Sequence, residues 1–107
     1  MSVVETPLTP VDHELLRLLA DPLRAQIVEL LAVEQLCTCH LVEATGAGQS
    51  NVSNHLRALR AAGLITAEPA GRFTYYRLLP GPLLAVSARL GALAALATAS
   101  TDVKRPC

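Results

Sequence analysis

Residues 49–65, QSNVSNHLRALRAAGLI, carry the pattern on which the reading of the whole chain depends. Val52, Leu56 and Leu59 recur at i, i+4 and i+7, so they share one face of a helix, and Gly63 predicts its end. The opposite, wet side gathers Gln49, Ser50, Asn51, Ser53, Asn54 and Arg57. Asn and Gln bond adenine through two atoms, Arg does the same with guanine, and Ser meets a base or a phosphate, so a helix presenting them from its first turns suits the DNA major groove. An ordinary solvated helix carries the same residue types, and the flanking segments have to decide.

Upstream, Gly46-Ala47-Gly48 is a three-residue turn, preceded by a helix that starts near Thr38 or Cys39, ends by Thr45 and buries Leu41 and Ala44. Helix, short glycine-containing turn, helix is the sequence form of a helix-turn-helix. Thr9-Pro10 with Asp12, and Asp21-Pro22, are two further helix starts, each with a capping side chain and a proline where no amide bond is lost. They predict a first helix to about Ala20, with Val11, Leu15 and Leu18 facing inward. The second runs from Pro22 to about Val33, with Leu23, Ile27, Leu30 and Leu31 as its stripe. Gln35 and Leu36 are expected to be a short join, and residues 1–8 a loose arm without periodicity.

Downstream, Leu64 to Glu68 and Phe73 to Leu78 read as two strands around a turn at Pro69-Ala70-Gly71-Arg72. A hairpin directly after a recognition helix is a wing, and Arg72 near its tip is placed to meet phosphate or the minor groove. Tyr75 and Tyr76 should point to opposite faces. Pro82 opens a last helix to about Ala99, whose Leu83, Val86, Leu90, Leu93 and Ala97, widened by Leu84 and Leu96, form more apolar surface than one small domain covers. A homodimer through the first and last helices resolves this, and it sets two recognition helices about one DNA turn apart. The expected fold is mostly α with a small β-hairpin, a winged helix-turn-helix of order α-α-α-α-β-β-α over residues 9–99, with residues 100–107 as a tail.

Composition is compatible with this. The 107 residues are 51% apolar but only 3% aromatic, which requires closely packed helices of Leu, Ala, Val and Ile. Net charge is zero, yet Arg57, Arg60, Arg72 and Arg77 face only Glu68 between residues 46 and 79, so the positive surface coincides with the recognition helix and wing. No basic, apolar leader is visible, and Arg89 interrupts the apolar C-terminal helix, so neither signal peptide nor membrane span is expected and the location read is cytoplasmic. An enzyme has the least support: the chain has no glycine-rich phosphate cradle and no plausible triad.

In a reducing compartment the odd set Cys37, Cys39 and Cys107 is more natural as thiols kept for metal or redox chemistry than as a disulfide framework. Cys37 and Cys39 at i and i+2 reach one ion only where the helix start is not helical; alternatively, either is a small buried hydrophobe. Four motifs then come together: ADPLR at Ala20 to Arg24, LCTC at Leu36 to Cys39, the run from Val52 to Leu64, and GRFTYYRL at Gly71 to Leu78. In this order they closely resemble the ArsR/SmtB family of arsenic- and metal-responsive winged-helix repressors. The resemblance implies a homodimer that binds operator DNA and leaves it when a thiophilic ion binds. It places Cys37 and Cys39 at the first two thiolates of the arsenic-type site.

Departures from the family pattern narrow the choice. A third cysteine of the best-known arsenic sensors is Val42 here, the motif's Asp is His40, and the two recognition-helix cysteines of one cadmium/lead branch are Ala58 and Ala62. No His or acid lies between Pro80 and Ala99 to make a zinc-type site on the last helix. Trivalent arsenic or antimony is satisfied by three thiolates, which leaves Cys107 as the third, on a tail able to span roughly 26 Å from Ala99. Cadmium or lead, and oxidation of the thiols, are the alternative triggers; His40 reads either as a helix-surface histidine or as a fourth donor for cadmium or zinc.

Overall fold

The computed structural model describes residues 8–100 and 102–107; the expected loose arm therefore falls almost wholly outside the described residues. Five helices and three strands follow in the order α1 (Pro10–Leu19), α2 (Pro22–Val33), β1 (Leu36–Cys37), α3 (Thr38–Thr45), α4 (Gln49–Ala61), β2 (Ile65–Ala70), β3 (Phe73–Leu78) and α5 (Pro80–Ala99). This is a winged helix-turn-helix with one strand more than expected.

Local chemistry sets the helix ends. Thr9 and Asp12 form a reciprocal capping box on α1, and the Asp21 carboxylate accepts from the amides of Leu23 and Arg24 at the start of α2. Gly46 takes the left-handed conformation after α3, and the Thr45 hydroxyl donates to the Leu41 carbonyl while accepting from the Ala47 amide, which shapes the turn into α4. Gly48 caps α4 by backbone alone.

Leu15, Leu18, Ile27, Leu31, Leu41, Val52, Leu56, Leu59, Leu64, Ile65 and Val86 form one buried core under α4. Two packing expectations need correction. Val11 is 71% exposed while its neighbour Asp12 is 1% exposed, because Asp12 faces α5 and receives both Nε and Nη2 of Arg89. Ala44 is exposed, and Val42 packs beside Leu41 instead. The Arg89 pair, together with Val86 and Leu83, fastens the first half of α5 to the domain. By length and composition alone α5 is apolar enough to cross a membrane. Its outer residues Leu84, Leu90, Leu93 and Leu96 are 38–68% exposed in the single chain.

The sheet order is β1-β3-β2, antiparallel throughout, with Ala70 opposite Phe73. The wing turn is thus only Gly71-Arg72, with Gly71 at φ 65°, and Pro69 belongs to β2 rather than to the turn. Proline is tolerated there because β2 is an edge strand. Gln35-Leu36 is not merely a join: Leu36 pairs with Tyr76, and Cys37 with Tyr75.

Candidate thiolate site and nucleic-acid interface

Cys37 is the last residue of β1 and the residue that caps α3, so its backbone is extended (φ −92°, ψ 170°). That break in helical geometry lets residues at i and i+2 meet. The two Sγ atoms lie 2.7 Å apart, and His40 Nδ1 sits 3.3 Å from Cys37 Sγ while accepting from the Cys37 amide at 3.2 Å. One donor atom from each of Cys37, Cys39 and His40 lies within 4.8 Å of the others. Cys37 is buried, whereas Cys39 and His40 are exposed, so the cluster opens to solvent on one side.

The two thiols differ electrostatically. Burial pushes the Cys37 thiol up, but hydrogen bonds from Cys39 and from the amides of His40, Cys39 and Cys37 outweigh it and hold the thiol below its ordinary value. Cys39, whose Sγ shares a hydrogen bond with Cys37 Sγ, is pushed up by that bond, by burial and by the neighbouring charge. The proton is thus held more loosely on Cys37 than on Cys39.

This cluster touches the wing. Cys37 lies in register with Tyr75, and the His40 and Tyr75 rings are 6.0 Å apart at 54°. A cavity of about 320 Å³ beside the sulfurs is lined by Cys37, Cys39, Gln49, Arg72, Phe73 and Tyr76, among others, so thiols and candidate DNA contacts share one recess.

Along α4, Gln49, Ser50, Asn51, Asn54 and Arg57 are exposed and Ser53 is half-buried; Arg72 is exposed at the wing tip. Arg57 donates to the Asn54 side chain at 2.8 Å, which pre-orients both. A second cavity, of about 270 Å³, between α4 and β3 is lined by Ser53, Leu56, Arg57, Arg60 and Tyr76. Arg60 joins Ser53 and Arg57 on the α4 wall of this recess by helical spacing (i, i+4, i+7), and Tyr76 closes it from β3. His55 does not face outward: its Nδ1 is 3.2 Å from Arg24 Nη1, and Arg24 Nε donates to the Leu18 carbonyl, so the ADPLR motif ties α1, α2 and α4 together. Cys107 is exposed and lies outside the Cys37-Cys39-His40 cluster.

Residues 21–67 match the family described as "Bacterial regulatory protein, arsR family". The chain is 49% identical over 65 residues to the HTH-type transcriptional repressor SmtB of Mycobacterium tuberculosis, covering 61% of this chain and 48% of that one. It is 40% identical over 68 residues to the arsenical resistance operon repressor of Escherichia coli, covering 63% and 58%. The chain thus spans about half the length of the curated relatives it matches. Among solved structures, a possible transcriptional regulator for arsenical resistance superposes with TM-score 0.66 at 33% identity, covering 83% of this chain and 95% of that one. With the recognition helix, wing and thiol cluster in place, the chain belongs to the ArsR family of DNA-binding transcriptional regulators.

Proposed function

We propose that this protein is a cytoplasmic, homodimeric repressor that binds operator DNA through α4 and the wing and is released when trivalent arsenic or antimony is bound by Cys37 and Cys39. The observation that carries the reading is the position of the cluster: its donors lie within 4.8 Å of one another on a segment paired to the wing and opening the helix beneath α4. Cys107, free on the tail, is the third thiolate in this reading, from the same subunit or the partner. Gln49, Ser50, Asn51, Ser53, Asn54 and Arg57 face the major groove, and Arg72 faces the backbone or minor groove.

Bound trivalent arsenic supplies three short, directional bonds to soft sulfur. Because Cys37 ends β1 and caps α3, holding its sulfur and that of Cys39 at one centre re-aims the end of β1 and the first turn of α3. The first is bonded to β3 and the second packs under α4, so both DNA-reading elements shift relative to each other. A coupling of roughly 1–3 kcal/mol lowers operator affinity about 5–150-fold.

His40 Nδ1, at 3.3 Å from Cys37 Sγ, favours a second reading in which cadmium or lead is the inducer with an imidazole donor. The test is fluorescence anisotropy of DNA selected by the protein from a randomised pool, titrated with arsenite, antimonite, cadmium, lead and zinc. Release by arsenite or antimonite at the lowest concentration supports the first reading. Release by peroxide and by no ion replaces it with a redox sensor. Binding whose strength ignores salt concentration rules out a reader of phosphates.

A further inference from the structure

We propose that the recess between α4 and β3 seats one phosphate of the DNA backbone, held by Arg60 with Ser53 and Arg57 from the helix and by the Tyr76 phenol from the wing. This goes beyond the reading above and stands whatever the thiols bind.

Uncompensated charge carries the inference. The recess, of about 270 Å³, is lined by Ser53, Leu56, Arg57, Arg60 and Tyr76, with no acid among them. On other elements, Arg17 pairs with Glu14, Arg89 pairs with Asp12, and Arg24 donates to the Leu18 carbonyl and faces His55. Arg57 meets only the neutral Asn54 amide oxygen, and Arg60 has no ion pair or side-chain hydrogen bond among the described residues. Like charges one turn apart repel, and Leu56, 2% exposed, makes one wall apolar and weakens the screening on that side; an anion between the guanidiniums reverses the sign. Two guanidiniums and two hydroxyls offer N–H and O–H donors and no negative acceptor, which matches the oxygens of a phosphodiester.

The place in the fold selects DNA as the source of that phosphate. Ser53, Arg57 and Arg60 run along the border of α4, between its buried residues Val52, Leu56 and Leu59 and the wet face of Ser50, Asn51 and Asn54. A helix about 10–12 Å across fills a major groove about 12 Å wide, so when the wet face meets base edges this border meets the groove wall, which is sugar and phosphate. Tyr76 closes the recess from the central strand of the sheet, in register with Leu36 of β1 on one side and Ala67 of β2 on the other, and its ring packs against the core. A phosphate seated there fixes the depth and rotation of α4 in the groove and ties the helix and the wing to one point on the DNA.

The experiment uses the full-length protein and DNA selected by it from a randomised pool, in duplexes where one backbone phosphate at a time is replaced by an uncharged methylphosphonate. At one position in each half-site the replacement should weaken the parent protein about tenfold but leave Arg60→Gln almost unaffected, so that the two losses do not add. Tyr76→Phe, which keeps the ring and removes the hydroxyl, should blunt the penalty at that same position, and Arg60→Lys should recover part of it. Losses that add at every phosphate position overturn the proposal. So does an Arg60-dependent response to inorganic phosphate, measured against chloride at equal ionic strength, when no position in the duplex depends on Arg60, because the recess is then a site for a free anion. In both cases binding of the selected DNA by the parent protein leaves the role of α4 intact.

Discussion

Cys37 and Cys39 are close in sequence but unequal in chemistry. Cys37 is buried and its thiol is held below its ordinary value by the hydrogen bonds around it, while Cys39 is exposed and its thiol is pushed up. Replacing either by Ser should leave DNA affinity within about threefold but raise the arsenite concentration needed for release by about 100-fold or more, read by anisotropy. Cys107→Ser should weaken arsenite binding about tenfold by the same measure; an unchanged affinity removes Cys107 from the ligand set. Asp12 sets a different residue-scale expectation. The Arg89 guanidinium, opposed by burial and assisted by the Thr9 amide, holds its carboxyl far below the usual carboxylate range. A folded-state value below the ordinary 3.8 contributes stability that is complete above that pH and erodes as pH falls beneath it. Asp12→Asn should therefore be less stable at neutral pH and show a flatter loss of Tm with acid below pH 3.8 than the parent protein.

At the scale of elements, the helices were legible because their ends are written in adjacent residues: Thr9 with Asp12, Asp21 with Pro22, Gly46, and Gly63 at φ 77°. Strand β1 was not, since two residues have no period and Leu36-Cys37 becomes a strand only because the edge of β3 is there to pair with. That Cys37 and Cys39 meet where the helix start is not helical was legible, but their approach to the wing was hidden for the same reason. The outer face of α4 was legible as wet, while the recess that Arg60 and Tyr76 line beside it emerges only when β3 packs against the helix. If that recess receives a backbone phosphate, Arg60→Ala should reduce the slope of log affinity against log salt by about 1 and weaken all DNA sequences alike. Beneath it, Leu59 is fully buried, and Leu59→Ala should cost about 2–5 kcal/mol, measured by urea unfolding.

For the whole molecule, the proposed dimer rests on α5. Its outer leucines are exposed in a single chain, and beside them a largely apolar cavity of about 350 Å³ lies between α1 and α5, with Val11 on its wall. The double substitution Leu90→Glu, Leu93→Glu should give a monomer by sedimentation equilibrium, still helical by circular dichroism, with DNA affinity down about 100-fold or more because two half-sites are no longer joined. The excess of apolar surface on α5 was readable from the spacing of its leucines. The Asp12–Arg89 pair was not, because the partners stand 77 residues apart and neither signals the other.

That pair also has a bearing on biosynthesis. As the chain emerges from the ribosome, Asp12 is made early and its cation late. A carboxylate is enclosed without its partner only at considerable cost, so the final seating of α1 waits for α5 to be translated. Helices α2 to α4 are free to associate sooner, so the pairing of α1 with α5 follows their packing.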